Sequence, residues 1–467
     1  MTILLPDTAR FEARVDVAIV GGGACGLTAA LAAAEAGAEV AVFEQDPTPS
    51  GSTALSSGMI PAAGTRLQAA RGIPDTPATL FGDLMGKTHG RIDTAVARAV
   101  CEQSGPTVDW LMERHGADLE LVEGFVYPGH SHPRMHAPRG RVGSELMAML
   151  LAAVERMAVS LVTGARVAAL FADADARIHG LRIERPDGAV EDVACASLVL
   201  ACNGYGGDPE MVRSHIPEMA DALFFGHTGN RGDAVAWGTE LGAATGDMGA
   251  YQGHGSVAHP HGILITWGLI MAGGLQVNAE GRRFSNETEG YSEQARRVLA
   301  QPGGTAWVVF DETRHRLGMD FEDYRTAQEL GAIRTADTLG DLATAIGVPE
   351  QVLAQTLSDA AACARDGRTC PFGRDFSGVE PLAPPYRAVR VTGALFHTQG
   401  GLAIDAEARV LRADGTPLPN LFAGGGAARG LSGPGADGYL SGNGLLSAVV
   451  LGRIAGAATA GSVTAPG

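Results

Sequence analysis

The sequence has no long hydrophobic run and no cysteine pattern typical of a metal or haem site. No stretch of about 18 apolar residues occurs without charges or turn residues, so we expect no membrane-spanning helix. The six cysteines form no CxxC pair, which is typical of reduced, packed thiols. Met1–Asp7 lacks the basic and apolar parts of a secretion signal. We therefore expect a cytoplasmic protein.

Positive charge is scarce as well. Lys and Arg number 35 against 52 Asp and Glu, which gives a formal net charge of −17. This balance argues against nucleic acids and anionic membranes as main partners, because both carry negative charge themselves. Glycine is abundant instead, at 65 of 467 residues, as in proteins whose backbone approaches a large ligand at many points.

The stretch from Asp16 to Ala36 predicts a dinucleotide-binding turn. A short apolar strand ends in Gly21-x-Gly23-x-x-Gly26, and a helix from Leu27 to Ala36 follows. Gly21 permits the tight turn, Gly23 lets a pyrophosphate approach the backbone, and Gly26 lets the helix pack close to the strand. The free N–H groups of the helix N-terminus suit phosphate oxygens.

A second strand, Glu39–Phe43, ends in Glu44. This acid follows Gly21 by 23 residues, the spacing expected of a carboxylate that binds a ribose. The small-residue stretch from Thr48 to Met59 shows no helical or strand period and predicts a loop whose hydroxyls and amides face a cofactor.

The rest of the chain predicts further helices and strands, which alternate irregularly along the sequence. They are helices in 76–111, 143–157, 337–366 and 445–458, strands at 160–162, 167–171, 197–201, 306–310 and 421–423, and hairpins at 186–188 and at 274–278 with 280–284. The strand at 421–423 leads through the glycine-rich loop 432–444 into a helix, which is again an anion or carbonyl site. A dinucleotide fold completed by the end of the chain implies a discontinuous domain with an inserted cap.

Three histidines, His130, His132 and His136, lie within seven residues. They suggest a metal site, but the prolines and glycine around them break any regular face, and no cysteine or acid joins them. A loop that lines a substrate cavity is the favoured interpretation, with Tyr127 as a pocket hydroxyl. Arg134 and Arg141 on this segment could bind a substrate carboxylate.

Several stretches together resemble a known family. They are 21–44, 52–58, 201–204, 232–233, 397–401 and 441–443. In this order they are similar to the flavoproteins that comprise soluble fumarate reductases and 3-ketosteroid dehydrogenases. The resemblance implies an α/β fold: a discontinuous Rossmann-type FAD-binding domain (1–250 and 397–467) with an inserted α+β capping domain (251–396).

The resemblance also implies non-covalent FAD, and no histidine lies in 48–59 to form a covalent link. The residues that it assigns to the cofactor are Gly21, Gly23, Ala24, Cys25, Gly26, Glu44, Gln45, Ser52, Thr53, Ser57, Gly58, Val167, Asn203, Gly204, Asp233, Gly425, Asn443, Leu445 and Leu446.

Two departures from the fumarate reductases concern the substrate site. Tyr291 and Tyr439 stand where those enzymes carry a proton-donating and a carboxylate-binding arginine, although His254 and His397 match their substrate histidines. Ketosteroid dehydrogenases carry tyrosine at both positions. Tyr439-Leu440-Ser441 resembles the Δ4-(5α) group, whereas Gly433-Pro434-Gly435 resembles the Δ1 group.

The resemblance therefore implies FAD-dependent α,β-dehydrogenation of a cyclic ketone, either a 3-ketosteroid or a smaller oxo-cyclohexane. Tyr291 is assigned as the base, and Tyr439, with a backbone N–H near Gly435 or Ser441, polarises the carbonyl; the two tyrosines could exchange roles. Ser441 relays the proton or orients a tyrosine. An ene-reductase that acts on an enone or unsaturated carboxylate is the alternative, and an FAD-containing electron-transfer subunit is a third possibility.

The sequence contains no motif that would bind an electron donor for the reductive direction. It contains no haem CxxCH motif, no iron–sulfur cysteine set and no second Rossmann motif for NADPH. This favours the oxidative direction, with the electron acceptor and the oligomeric state left open.

Overall fold

A computed structural model of the protein describes residues 3–463, with side chains as far as residue 459. Met1, Thr2 and residues 464–467 lie outside the described residues. The outer ends of the predicted segments 1–250 and 397–467, and the start of the stretch Met1–Asp7, lie there too.

The first sheet collects strands from both ends of the chain. Its strands are Ile3–Leu4, Phe11–Val20, Val40–Phe43, Ser160–Val162, Arg166–Ala172, Ile178–Glu184, Val190–Leu200, Arg409–Leu411 and Pro417–Ala423. At its centre Phe11–Val20 pairs in parallel with Val40–Phe43 and with Val190–Leu200. The end of Val190–Leu200 pairs in parallel with Leu421–Ala423, so the late strand completes the early sheet as predicted.

The apolar character of these strands follows from their position. Val17 and Ile19 are fully buried, because helices cover a parallel sheet on its faces. The helix Ala24–Glu35 packs against the last helix, Asn443–Val463. A Cβ at Gly452 or Gly456 of the last helix would overlap with backbone oxygens of the first one. Glycine at these two positions therefore allows the close approach of the helices.

The second sheet is mostly antiparallel. Its strands are Leu223–Phe224, Tyr251–Ala258, Ile263–Leu264, Leu275–Val277, Thr305–Asp311, Ile333–Ala336 and Tyr386–Thr398. The long strand Tyr386–Thr398 pairs with four of the others. It runs across residue 396, the predicted end of the cap, and leads back to the first sheet. The domain boundaries stay a prediction.

The remaining elements surround the two sheets. The other helices are Gly51–Ala54, Arg66–Ala70, Pro77–Thr88, Thr94–His115, Gly143–Arg156, Pro209–His215, Asp233–Glu240, Gly268–Met271, Tyr291–Leu299, Glu312–Gly318, Glu322–Glu329, Leu339–Ile346 and Glu350–Asp366. Short strands at Ile60–Pro61, Glu120–Leu121 and Met135–Ala137 form a third sheet, and Thr245–Gly246 pairs with Gly401–Leu402. All six cysteines are free thiols, five of them buried, which confirms that interpretation.

Two local predictions need correction. The predicted hairpin of 274–278 with 280–284 is wrong, because Leu275–Val277 pairs with Thr305–Asp311 and residues 280–284 form no strand. The loop 48–59 contains a helical turn, Gly51–Ala54. The region 76–111 is helical as predicted: Pro77–Thr88 ends at His89 in the left-handed conformation, and a second helix begins at Thr94.

Candidate functional site

A long cleft lies where the two sheets meet. The Gly21 turn and the side chains of Tyr291 and Tyr439 both line it. Its lining comes from the carboxyl ends of the first sheet's parallel strands and from the second-sheet strands Tyr251–Ala258 and Tyr386–Thr398. One cleft therefore joins the predicted cofactor residues to the predicted substrate residues.

The Gly21 turn forms one wall of this cleft. Gly21 has a φ of +104°, and a Cβ there would lie 2.6 Å from the Ala201 carbonyl oxygen. A Cβ at Gly26 would overlap with the Gly21 carbonyl oxygen. The helix that follows begins at Ala24, so its N-terminal N–H groups lie at the cleft, and one of them donates to Thr53 Oγ1. This is the geometry of a pyrophosphate site.

Glu44 lies at the end of the next strand, as the spacing predicts. One carboxylate oxygen accepts from Gly22 N at 2.8 Å and the other from Asp46 N at 3.0 Å. The side chain is largely buried, yet it lines the cleft. Each oxygen retains lone pairs, which can accept from ribose hydroxyls.

The glycine-rich loop before the last helix forms the far wall. Gly442 has a φ of +81°, where a Cβ would lie 2.7 Å from Pro61 Cδ. Asn443 begins the helix, and its Oδ1 is buried without a hydrogen-bond partner among the described residues. Gly444 and Leu445 at the start of this helix line the cleft, and a helix N-terminus suits the electron-rich oxygens of a ring system such as a flavin. The residues present fit FAD.

Most of the predicted site residues line the cleft. They are Gly21, Gly23, Ala24, Cys25, Glu44, Gln45, Ser52, Thr53, Ser57, Val167, Asn203, Asp233, Gly425 and Leu445 at the predicted cofactor positions, and Tyr127, His254, Tyr291, His397, Tyr439 and Ser441 at the predicted substrate positions.

The other predicted residues lie behind this wall. Among the described residues, those that do not line the cleft are Gly26, Gly58, Gly204, Gly435, Asn443 and Leu446. Gly26, Gly58 and Gly204 are glycines because backbone or a buried side chain lies where a Cβ would point. Gly435 precedes a short 3₁₀ turn, Ala436–Gly438. Gly435 does not line the cleft, whereas Ser441 does, and the oxyanion contact near these residues stays a prediction.

Tyr291 and Tyr439 lie side by side at the substrate end. Their ring centroids are 5.9 Å apart, and their two hydroxyls lie within hydrogen-bonding reach of each other. Gly442 N donates to the Tyr291 oxygen and Gly444 N donates to the Tyr439 oxygen, both at 3.3 Å. The Ser441 hydroxyl lies within hydrogen-bonding reach of Tyr291 and of Pro128 O. Two phenols, one alcohol and two backbone amides thus form a single network.

Burial raises the pKa of Tyr291 well above its ordinary value, and it raises the pKa of Tyr439 too. Both phenols are therefore protonated near neutral pH. The two backbone N–H groups oppose this shift, because they stabilise a phenolate.

The histidines of the site are neutral. Burial lowers the pKa of His254 to about 3 and also lowers the pKa of His397. His254 stacks on Tyr291 at 4.7 Å between ring centroids, and on Phe396 at 5.1 Å. His254 therefore acts as a flat, uncharged wall of the pocket.

The segment 125–136 differs from its prediction. Of the three histidines and two arginines singled out there, none lines the cleft, whereas Tyr127 does. Arg134 is fully buried in ion pairs with Asp75 and Asp83, and Arg141 pairs with Asp320. The expectation that these arginines could bind a substrate carboxylate is wrong. Among residues 3–463, no group of three or more potential ligands could hold a metal ion.

The sequence prediction missed the aromatic lining. Phe225, Trp267 and Phe396 line the cleft beside the tyrosines. They come from separate apolar runs of the chain and carry no local motif, so only the folded arrangement could find them.

Comparison with known proteins identifies the chain. The family described as FAD binding domain matches residues 16–445. This chain belongs to that family. It is an FAD-dependent oxidoreductase, which confirms the predicted cofactor and the predicted α/β fold with a capping domain.

The relatives include both reductases and a dehydrogenase. The chain is 31% identical to a probable fumarate reductase of Shewanella frigidimarina (strain NCIMB 400) over 94% of this chain and 74% of that protein. It is 28% identical to 4-oxocyclohexanecarboxylate 2-dehydrogenase of Sinomonas cyclohexanicum over 91% and 92%. A solved flavocytochrome c3 fumarate reductase has a TM-score of 0.80, at 30% identity over 97% of this chain and 79% of that one. Solved 3-ketosteroid dehydrogenases share the fold at lower identity.

Within the part of the chain that the structure describes, none of the helices has both the length and the apolar character that a membrane crossing requires.

Proposed function

We propose that this enzyme removes two hydrogens from an uncharged cyclic ketone, a 3-ketosteroid or a smaller oxo-cyclohexane, to give the α,β-unsaturated ketone. The observation that carries the proposal is the hydrogen-bonded pair of Tyr291 and Tyr439 in an aromatic pocket. Bound FAD supplies the two-electron acceptor for the β-hydride. The chain's own residues have to bind the ketone, remove its α-proton and stabilise the developing enolate.

Tyr439 suits the task of polarising the carbonyl. Its oxygen accepts from Gly444 N, which leaves its own proton to donate to the ketone oxygen. In a site closed to water, one such donor contributes about 3 kcal/mol to transition-state stabilisation. The backbone near Ser441 is the second candidate donor.

Tyr291 suits the task of the base. Its oxygen accepts from Gly442 N, and Ser441 lies beside it, so two donors stabilise the phenolate that takes up the α-proton. A phenol with a raised pKa forms a phenolate that is scarce but strongly basic. Each tyrosine oxygen accepts from one backbone N–H, so the opposite assignment, with Tyr439 as the base and Tyr291 as the donor to the carbonyl, is the alternative.

The charge of the pocket supports a neutral substrate. Arg166 is the sole Arg or Lys among the described residues that line the cleft. It pairs with Glu184 and precedes the cofactor position Val167. Carboxylate substrates are normally held by arginine forks. Tyrosines at 291 and 439 and neutral histidines at 254 and 397 provide none, which argues against fumarate and against keto acids.

Ene reduction is the second candidate function. It is favoured by the raised pKa of both tyrosines, because a protonated phenol beside an enone is ready to donate a proton. The relatives named as fumarate reductases point the same way.

The deciding experiment is anaerobic reduction of the bound flavin. Cyclic ketones of increasing size, from cyclohexanone to 3-ketosteroids, are added, each with a carboxylated counterpart. We expect the oxidised flavin band to bleach with neutral ketones and not with the keto acids. Failure of every ketone, together with reoxidation of the reduced flavin by an enone, would establish the reductase instead.

Substitution then tests the tyrosines. Tyr291→Phe and Tyr439→Phe should each lower turnover by about 10²–10³ while FAD stays bound, because each removes one donor or base at the reacting atoms. Tyr386→Phe, a half-buried tyrosine of the second sheet, is the matched control. Full activity of both site variants would refute the assignment.

A further inference from the structure

The turn 127–130 lies behind the tyrosine pair. Tyr127-Pro128-Gly129-His130 forms a β-turn closed by a hydrogen bond from His130 N to Tyr127 O, with Gly129 at a φ of +83°. Proline and then glycine at the two central positions are typical of a type II turn. A Cβ at Gly129 would lie 2.6 Å from Leu440 Cδ1, so the turn packs directly against the loop that carries Tyr439 and Ser441.

His130 joins this turn to that loop. Its Nε2 lies 2.8 Å from Ser441 O, and its Nδ1 lies 3.3 Å from Arg134 Nη1. A carbonyl oxygen only accepts and a guanidinium only donates, so Nε2 must carry the proton and Nδ1 must be bare. The ring is therefore held as one neutral tautomer from both sides. Burial, with Arg134 beside the ring, lowers the pKa of His130 to about 3, in agreement with this assignment.

Arg134 is itself immobilised. It forms a two-pronged pair with Asp75, at 2.9 and 2.8 Å, and a further bond to Asp83 at 2.6 Å. Asp75 is in turn bound by Gln68 Nε2 at 2.9 Å. Because Asp75 and Gln68 are buried, the guanidinium is a fixed support for the imidazole.

We propose that His130 is a positioning residue of the tyrosine site: it holds the Ser441 carbonyl, and through it the loop whose Gly442 and Gly444 amides donate to Tyr291 and Tyr439. The inference rests on the proposed function of those tyrosines. It gives the histidine-rich segment a role that is neither metal binding nor contact with substrate.

The test compares two substitutions at one position in the FAD-bound enzyme. His130→Ala removes both hydrogen bonds, whereas a glutamine can still donate to Ser441 O and accept from Arg134. We expect His130→Ala to lower kcat by about tenfold to a hundredfold with little change in KM, as misplacement of reacting groups does. His130→Gln should recover most of that loss. His132→Ala is the matched control, because His132 shows no hydrogen bond to the described residues.

A second measurement does not depend on the substrate. Hydrogen exchange of the amides in 439–446, followed by mass spectrometry with FAD bound, should be faster in His130→Ala and restored in His130→Gln. If no ketone is turned over but exchange follows this pattern, the proposed function fails and the positioning role stands. Unchanged exchange and kcat in His130→Ala, or equal losses in the alanine and glutamine variants, would overturn the role.

Discussion

The pH dependence of turnover follows from the burial of the two tyrosines. Burial raises the pKa of Tyr291 well above its ordinary value. A phenol of pKa about 10 is ionised to only about 0.1% at pH 7, and a higher pKa leaves less. If phenolate at Tyr291 is the base, kcat/KM for ketone oxidation should rise about tenfold per pH unit, or about a thousandfold between pH 6 and pH 9, without a plateau.

The reverse reaction should behave differently. Reduction of an enone needs the protonated phenol, which is already the dominant form, so its rate should be flat across the same range. The assay is stopped-flow bleaching or reoxidation of the bound flavin under anaerobic conditions at each pH. Tyr291→Phe should lose the slope, and Tyr386→Phe should keep it.

A plateau near pH 7 would refute this reasoning. It would mean that the base has an ordinary histidine-like pKa, although burial lowers the pKa of His254 to about 3 and also lowers the pKa of His397. If kcat/KM still rises with pH in Tyr291→Phe but no longer does so in Tyr439→Phe, Tyr439 is the base and Tyr291 polarises the carbonyl.

Three further predictions concern stability and cofactor binding. Gly26→Ala should abolish retention of FAD, because its Cβ would overlap with the Gly21 carbonyl. Gly82→Ala, on an open helix surface, should retain FAD. The measurement for both is the ratio of flavin to protein absorbance. Burial lowers the pKa of His136 to about 4, so below pH 6.5 the unfolded chain binds a proton that the folded chain excludes. The free energy of unfolding should therefore fall by about 3 kcal/mol between pH 6.5 and pH 4. The measurement is denaturant unfolding at each pH, compared with His136→Gln. Glu287→Gln should lower the free energy of unfolding by about 3–5 kcal/mol, because two buried arginines then lose their shared carboxylate; a loss below 1 kcal/mol in urea titrations would contradict this.

Much of the cofactor site could be predicted from sequence. The Gly21 turn, the acid at Glu44 and the late glycine loop at Gly442 are local patterns, and each depends on backbone geometry that a few adjacent residues specify. A parallel strand followed by a glycine turn and a helix leads to the same phosphate site in many chains, because the helix N-terminus supplies the donors. Tyr291 and Tyr439 also stood out, since a change of residue type at a motif position is visible without a fold.

The role of charged side chains could not be predicted in the same way. Arg134 has the residue type for a carboxylate site and lies on a segment beside the pocket, yet it is buried behind it. Its place is set by Asp75 and Asp83, which lie 59 and 51 residues earlier. An ion pair forms wherever the fold brings opposite charges together, and the local sequence around an arginine does not show which distant carboxylate will lie beside it.

The sequence by itself determined the FAD-binding turn, the acid at Glu44 and the late glycine loop, because strand, turn and helix patterns act over short ranges. Tertiary structure alone decided which side of the pocket wall each remaining residue occupies. It packed Gly26 and Asn443 behind that wall, assembled aromatic rings from distant runs of the chain, and made His130 a neutral support for Ser441. These outcomes depend on packing between elements far apart in the chain, where burial and pairing set the charge of each group.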